Sequence, residues 1–339
     1  MDFFINIAKW CMPFLYFLRD IANPVLDFLF AIITYLGSET VFLVVAILVF
    51  WCVNKREGYY VLIVGLVGTI ANQIMKLLFR VPRPWVLDPE FQIVEDARAE
   101  ATGYSFPSGH TQNVCGTFGS IAAFNRKKWL SITLITVIIL VSFSRMYLGV
   151  HTPLDVIVSL VFASALVIVL HPLFKTEEKF KRAFPFIVIG SVLISFAFLL
   201  YVLLISGDKT LDSVNYNSGL KNACTLFGCT LGLIVVYFVD TRFTDFKTDG
   251  KWYAQIIKLA VGFLIVLGIK SGLSTPLTLL FGNEYVARSV RYFLIVCFAG
   301  VVWPLTFKWF AKMDIPALNR FADKVKSKFS GKEKEEKEI

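Results

Sequence analysis

The chain of 339 residues is 56% hydrophobic and only 17% charged, against about 45–50% apolar and about 25% charged residues in an average soluble domain. With a mean hydropathy of +0.67 it is composed for solvation by lipid, which excludes an ordinary soluble enzyme. The formal net charge of +9 does not imply a nucleic-acid partner. The basic residues stand in short clusters between apolar runs, the pattern that orients membrane helices.

In chain order, residues 1–37 read as two amphipathic, interfacial helices at about 3–18 and 24–36, interrupted by Lys9, Arg19, Asp20 and the pair Asn23-Pro24. The alternative, that one of them crosses the bilayer, changes only the side on which the N-terminus lies. No small-residue cleavage site follows a short apolar run, so this stretch is expected to be retained.

A hydrocarbon core of about 30 Å needs roughly 20 apolar residues in a helix. Eight segments approach this, at about 39–53, 59–79, 108–124, 129–147, 153–174, 184–206, 218–239 and 253–269, with a ninth at about 292–309. The stretch 270–291 is interrupted by Gly and Pro and carries Lys270, Arg288 and Arg291. It reads as solvated and interfacial, with contact to an anionic lipid headgroup as the sharper alternative. The tail alternates Lys and Glu and reads as a disordered cytoplasmic end. The expected fold is an all-α, polytopic membrane helix bundle. Its divisions are 1–37, a core at 38–175 that carries the motifs described next, additional transmembrane helices at 176–312, and the tail at 313–339. The six cysteines fall mostly in apolar segments without metal-ligand spacing and read as buried small hydrophobes.

Lys55-Arg56, Arg126-Lys127-Lys128, the basic stretch 175–182 and the Lys-rich region from Lys308 share one side of the membrane if the segments alternate, and by the positive-inside rule that side is cytoplasmic. The loop 80–106, with Asp88, Glu90, Glu95, Asp96 and Glu100, lies opposite, as does the connection 145–152.

Three pieces on that outer side carry polar residues that membrane segments seldom contain: Lys76-Leu-Leu-Phe-Arg80-Val-Pro-Arg83-Pro84, Phe106-Pro107-Ser108-Gly109-His110, and Ser144-Arg145 through His151 to Asp155. Removing a phosphoryl group requires cations for its oxygens, a nucleophile in line and an acid for the leaving oxygen. Lys76, Arg83 and Arg145 supply the cations, and the two Arg forks suit phosphate oxygens. Ser108 and the backbone N–H groups of Gly109 and His110 stand at a helix start, where unpaired donors attract anions. His151 and Asp155 are four apart with Pro153 in the first turn of the following helix, so they share a face. The carboxylate can hold one ring nitrogen and leave the other nucleophilic. His110 is then left for proton transfer. Arg80 reads as a snorkelling residue, His171 as structural, and Asn72 and Gln73 as polar packing one turn before Lys76.

Together the pieces read K-x6-R-P, P-S-G-H and S-R-x5-H-x3-D, which resembles the three-part signature of the type 2 phosphatidic acid phosphatase family, grouped with the bacterial acid phosphatases and vanadium haloperoxidases. The resemblance implies an acid phosphatase/haloperoxidase-like helical core, with the extra C-terminal transmembrane helices outside it. It implies His151 as nucleophile, Asp155 orienting it and His110 as acid, with Lys76, Arg83, Arg145, Ser108 and Gly109 holding phosphate. It also implies no cofactor and no metal. The expected partners are a lipid phosphate or diphosphate and the bilayer itself: phosphatidic acid, phosphatidylglycerophosphate or undecaprenyl diphosphate, hydrolysed through a phosphohistidine. The expected location is a bacterial cell membrane with the site on the extracytoplasmic face. The alternatives are a haloperoxidase-like use of the pocket and a lipid-binding or transport protein on the same fold.

Overall fold

The computed structural model describes residues 2–125, 127–208 and 211–320, and all regular structure among them is helical. Arg126 and most of the expected tail, 321–339, lie outside the described residues.

The first apolar stretch is two helices rather than one. α1 (Asp2–Trp10) stops at Cys11 and α2 (Met12–Asp20) begins beyond it, because Pro13 is tolerated only in the first turn of a helix. Asn23 caps α3 (Pro24–Thr34) by accepting from the backbone N–H groups of Val25 and Leu26, and Ser38 caps α4 (Glu39–Leu48) by accepting from Val41. α3 and α4 are bent by 49° across the turn Tyr35–Gly37, and together they are long and apolar enough for one span or a re-entrant loop. α3 packs against α8 (Lys128–Tyr147), so this stretch is fastened to the bundle.

The core continues with α5 (Lys55–Phe79), the single turn α6 (Pro84–Leu87), α7 (Gly109–Phe124), α8 and α9 (Pro153–Phe174). α7 differs from the span expected at 108–124. Its 16 residues reach only about 24 Å at 1.5 Å per residue, and it packs against α5, α8 and α9. Its polar residues Thr111, Gln112, Asn113, Thr117 and Ser120 are buried. Protein, not lipid, surrounds this helix, which is why its sequence need not be apolar.

Beyond the core lie α10 (Glu177–Leu204), α11 (Ser213–Val239), α12 (Trp252–Gly272), α13 (Ser274–Phe281), α14 (Glu284–Cys297) and α15 (Phe307–Lys312). The stretch expected to be solvated and interfacial at 270–291 is largely helical, broken only at Leu273 and at Gly282-Asn283. Among the described residues, seven helices are long and apolar enough to cross a membrane, or eight if the bent pair is one span, against nine expected segments. The chain is an integral membrane protein.

The extension is fastened to the core at the basic end of the bundle. Asp240, 1% exposed, accepts from Lys55 Nζ at 3.2 Å, Tyr59 Oη at 3.1 Å, Thr244 Oγ1 at 3.2 Å and the Phe246 backbone N–H at 3.3 Å. Nearby, Trp51 Nε1 donates to the Ala299 carbonyl, and the fully buried Lys258 donates to the Trp51 carbonyl while lying 4.2 Å from the centre of the Phe307 ring. Removing a shared acceptor from buried donors costs about 1–3 kcal/mol. Asp240→Ala is therefore expected to lower the melting temperature of purified protein while sparing the helical content. An unchanged melting temperature would show that this clasp holds nothing together.

Candidate active site

The three motifs converge at the end of the bundle opposite the Asp240 clasp. α5 and α8 end there and α7 and α9 begin there, with the loop 80–108 folded between them. α5 stops because Arg80 turns left-handed, at φ 50°, and its side chain pairs with Asp208 at 2.7 Å. The Arg80 reading as an outlying surface cation is thereby replaced by a tie between the core and the loop before α11. α1 lies against this end, with Phe4 packed on Phe79 and Phe106, so the N-terminal helices sit beside the site.

Lys76, Arg83 and Arg145 are 6%, 6% and 0% exposed. Lys76 Nζ donates to the Tyr104 carbonyl. Arg83 is held by three carbonyls: Nε to Gly103 at 3.0 Å, Nη2 to Thr102 at 2.8 Å and Nη1 to Val150 at 2.9 Å. Arg145 Nη1 donates to Thr34 Oγ1 at 2.7 Å, which ties α3 to the site, whereas Nε and Nη2 are buried without a partner. Buried donors are normally satisfied, so two unmet guanidinium N–H groups mark a place for acceptor oxygens.

His151 lies within this cluster, 2% exposed. Its Nε2 is 2.9 Å from Arg83 Nη1. A guanidinium has donors only, so Nε2 accepts and the ring proton resides on Nδ1, which faces Asp155 Oδ2 at 3.4 Å. Burial pushes the imidazole well below the ordinary histidine value, and the charges of Arg83, Arg145 and Lys76 push the same way. The ring is thus held in its neutral form, with the Nε2 lone pair turned to the Arg83 guanidinium.

Asp155 is held from three sides. Ser105 Oγ donates to Oδ2 at 2.6 Å, the Thr152 backbone N–H donates at 2.7 Å, and Thr152 Oγ1 in return accepts from the Asp155 backbone N–H, closing a capping box at the start of α9. The residue thus caps a helix and faces His151 at once. Ser108 caps α7 through Thr111, and its own N–H donates to the Asp155 carbonyl at 3.2 Å. A Cβ added at Gly109 would meet nothing within 4 Å, so there is open space beside the first turn of α7. His110 Nε2 lies 2.8 Å from Glu100 Oε2, and that hydrogen bond holds the Glu100 carboxyl below its usual range. Asn72 Nδ2 reaches the Pro107 carbonyl at 3.4 Å. His171 stacks against Phe124 and Tyr60 at the far end of α9.

All eight residues singled out from the sequence therefore gather in one buried place. Ser105, Thr152, Glu100 and Thr34 join them without having been singled out. Of these only Thr152 carried a readable signal, the T-x-x-D spacing at a helix start. Gly149, between Arg145 and His151, has φ 76°, and a Cβ there would strike the Phe91 ring at 2.9 Å. The tight return from α8 to His151 depends on its lack of a side chain.

This arrangement defines a helical membrane protein with a buried, cation-lined site. In agreement, residues 56–179 match the PAP2 superfamily, and residues 224–314 match the PAP2 superfamily phosphatase transmembrane extension. The undecaprenyl-diphosphatase BcrC of Bacillus subtilis is 34% identical over 143 residues, covering 42% of this chain and 71% of that protein. Sphingosine-1-phosphate phosphatase 1 of Mus musculus is 28% identical over 272 residues, covering 75% of this chain and 61% of that protein. A probable sphingosine-1-phosphate phosphatase of Dictyostelium discoideum is 29% identical over 165 residues, covering 45% and 39% respectively. The chain thus spans less than two thirds of the length of these two sphingosine-1-phosphate relatives. No solved structure matches it. The chain belongs to the PAP2 superfamily of membrane phosphatases and carries that superfamily's transmembrane extension.

Ser105→Ala removes a donor from the Asp155 carboxylate. A hydrogen bond to a charged group is worth about 1.5–3 kcal/mol, so turnover should fall about tenfold to a hundredfold with little change in KM, and Ser105→Thr should restore part of it. A variant with undiminished kcat would show that Ser105 does not position Asp155.

Proposed function

We propose that the chain hydrolyses a membrane lipid phosphate, without a metal, through a phosphohistidine at His151. The observation that carries this reading is the direction of His151 Nε2, an acceptor nitrogen 2.9 Å from Arg83 Nη1 in a buried cluster that also holds Lys76 and Arg145. The lone pair of Nε2 attacks phosphorus, the bond from phosphorus to the lipid oxygen breaks, and His110 donates a proton to the departing alkoxide. Lys76, Arg83, Arg145, Ser108 and the N–H groups at Gly109 and His110 hold the phosphoryl oxygens, with Asp155 retaining the Nδ1 proton. Water deprotonated by His110 then attacks the phosphohistidine, inorganic phosphate leaves, and both imidazoles return to their starting states.

A substrate with a tail is favoured by a groove of about 550 Å3 between α2, α8 and α9, lined by Cys11, Phe143, Met146, Pro153, Val156 and Leu160. It begins two residues from His151 and opens on the membrane-facing side, where Ile139 and Ile157 are exposed. Among the relatives compared above, the mouse protein named for a single-phosphate lipid matches over three quarters of this chain, whereas BcrC, named for a diphosphate, matches over less than half. A lipid phosphomonoester is accordingly the first substrate class proposed, and a polyprenyl diphosphate the second. Lys55, Arg56, Lys127, Lys128, Lys175 and Arg182 lie at the opposite end of the bundle, which supports a site on the extracytoplasmic face of a cell membrane.

The test is phosphate release by detergent-purified protein in the presence of chelator. The panel comprises sphingosine 1-phosphate, phosphatidic acid, phosphatidylglycerophosphate, undecaprenyl diphosphate and a soluble sugar phosphate, with His151→Ala as control. Release from a lipid that is lost in the variant supports the reading. No release from any of them would point to a binding or transport protein on this fold.

Two further outcomes concern His110. His110→Ala should slow hydrolysis of an alkyl phosphate far more than that of an aryl phosphate with a good leaving group, and equal losses would argue against an acid role. A carboxylate favours the protonated imidazole, so Glu100→Gln should let His110 lose its proton more readily. The alkaline limb of kcat should then move to lower pH by about one unit or more. A limb that stays in place would remove Glu100 from the proton transfer.

A further inference from the structure

At the site end of the bundle, on the far side of α11, a second polar cavity of about 130 Å3 lies between α11, α13 and α14. Lys221, Arg288 and Arg291 line it together with the carboxylate of Glu284 and the hydroxyls of Ser274 and Thr278. Among the described residues, none of the three cations forms an ion pair. Arg288 Nε is used by Thr225 Oγ1 at 2.7 Å, but Arg291 Nε is buried without any partner. Both guanidinium groups lie near the Tyr292 ring, at 5.4 and 5.7 Å from its centre, and both residues line the one cavity despite their like charge. Lys270 and Glu39 are also within electrostatic reach of this region. The cations here therefore number four and the carboxylates three: Glu284, Glu39 and, beyond Glu39 towards His110, Glu100.

α13 shows where the cavity stands with respect to the membrane. Ser274 and Thr278, one turn apart, face it, while Leu279 and Leu280 are 79% and 73% exposed. A short helix with a polar cavity on one side and bare leucines on the other lies where headgroups meet tails. The cavity is well below the 300–1,000 Å3 typical of sites for whole small molecules, and suits a single oxyanion whose remainder lies outside. It is separate from the catalytic cluster. Gly103, whose carbonyl holds Arg83, approaches α11 at Ser218 and Asn215, whereas Tyr285 from α14 reaches Asn217 from the other side at 3.1 Å.

We infer that Lys221, Arg288 and Arg291 form a second, non-catalytic site for a phosphate group, occupied by the headgroup of an anionic phospholipid whose tails lie along α13. Two like-charged forks held together beside a lysine need an acceptor with several oxygens, and phosphate supplies them to both forks at once. The source of that phosphate, lipid or free ion, is separable by experiment.

Full-length protein, delipidated in neutral detergent, is titrated with phosphatidylglycerol, phosphatidylcholine or inorganic phosphate, and bound lipid is counted by native mass spectrometry. Phosphatidylglycerol is a phosphodiester, so retention is read without turnover and independently of the proposed hydrolysis. The expected result is one tightly retained phosphatidylglycerol per chain and little phosphatidylcholine. Affinity should weaken about tenfold or more in R288Q/R291Q, with hydrolysis of a soluble aryl phosphate unchanged. R288K/R291K should retain more lipid than the glutamine pair. If the double variants do not fold, Lys221→Gln alone should weaken retention severalfold. Competition by inorganic phosphate at millimolar concentration would make the free ion the ligand and overturn the lipid assignment. Equal retention by wild type and the glutamine variants would overturn the site.

Discussion

The structure turns on the burial of Lys76, Arg83 and Arg145 at one end of an apolar bundle. Taking a charge out of water is costly unless hydrogen bonds and counter-charge replace the lost solvent. Here the replacement is incomplete in a particular way. Backbone carbonyls of Thr102, Gly103, Tyr104 and Val150 and the Thr34 hydroxyl meet some of the donors. The one buried carboxylate among them, Asp155, already accepts from Ser105 and Thr152. Two N–H groups of Arg145 meet nothing. Positive charge remains in excess, and on the proposed function a dianionic phosphoryl group would supply what is missing. Burial, reinforced by the same excess, keeps His151 unprotonated, so on the proposed function the enclosure that attracts the phosphate also readies the group that faces it.

The surrounding helices can be understood as what makes this burial tolerable. α7 carries a polar face into the middle of the bundle because it is enclosed by α5, α8 and α9. The bend between α3 and α4 delivers Thr34 to Arg145. The loop 80–108 is rich in carbonyls turned inward on Arg83 and Lys76, and α1 covers it with Phe4. At the other end, Asp240, Lys258 and an aromatic cluster that includes Trp51, Tyr59 and Phe307 hold the extension against the core. The clasp that holds the extension thus stands at the end of the bundle opposite the candidate site.

Much of the site was legible in the sequence because its residues are chemically out of place there. Lysine, arginine and histidine at the ends of membrane helices are conspicuous, and their order and spacing form a pattern that chance seldom produces. Ser105 and Thr34 were not legible, since a single hydroxyl in a loop or an apolar helix looks like any other, and only the fold says which carboxylate or guanidinium it meets. Glu100 was hidden among neighbouring acids in the same loop. For the fold, long apolar segments such as 129–147 and 153–174 emerged within a residue or so. The misreadings share one cause: hydropathy reports contact with lipid and is blind to contact with protein. It therefore took α7, enclosed by α5, α8 and α9, for a span like the others, and gave no sign that the polar stretch 270–291 is largely helical.

The most direct test of the central claim is to quench turnover of a phosphorus-labelled lipid phosphate, digest the protein and map the label. The account predicts a phosphoryl group that is lost in acid and kept in alkali, as a phosphorus–nitrogen bond requires, on the peptide that contains His151. Label on any other residue, or turnover with a burst of product but no labelled protein, would contradict it.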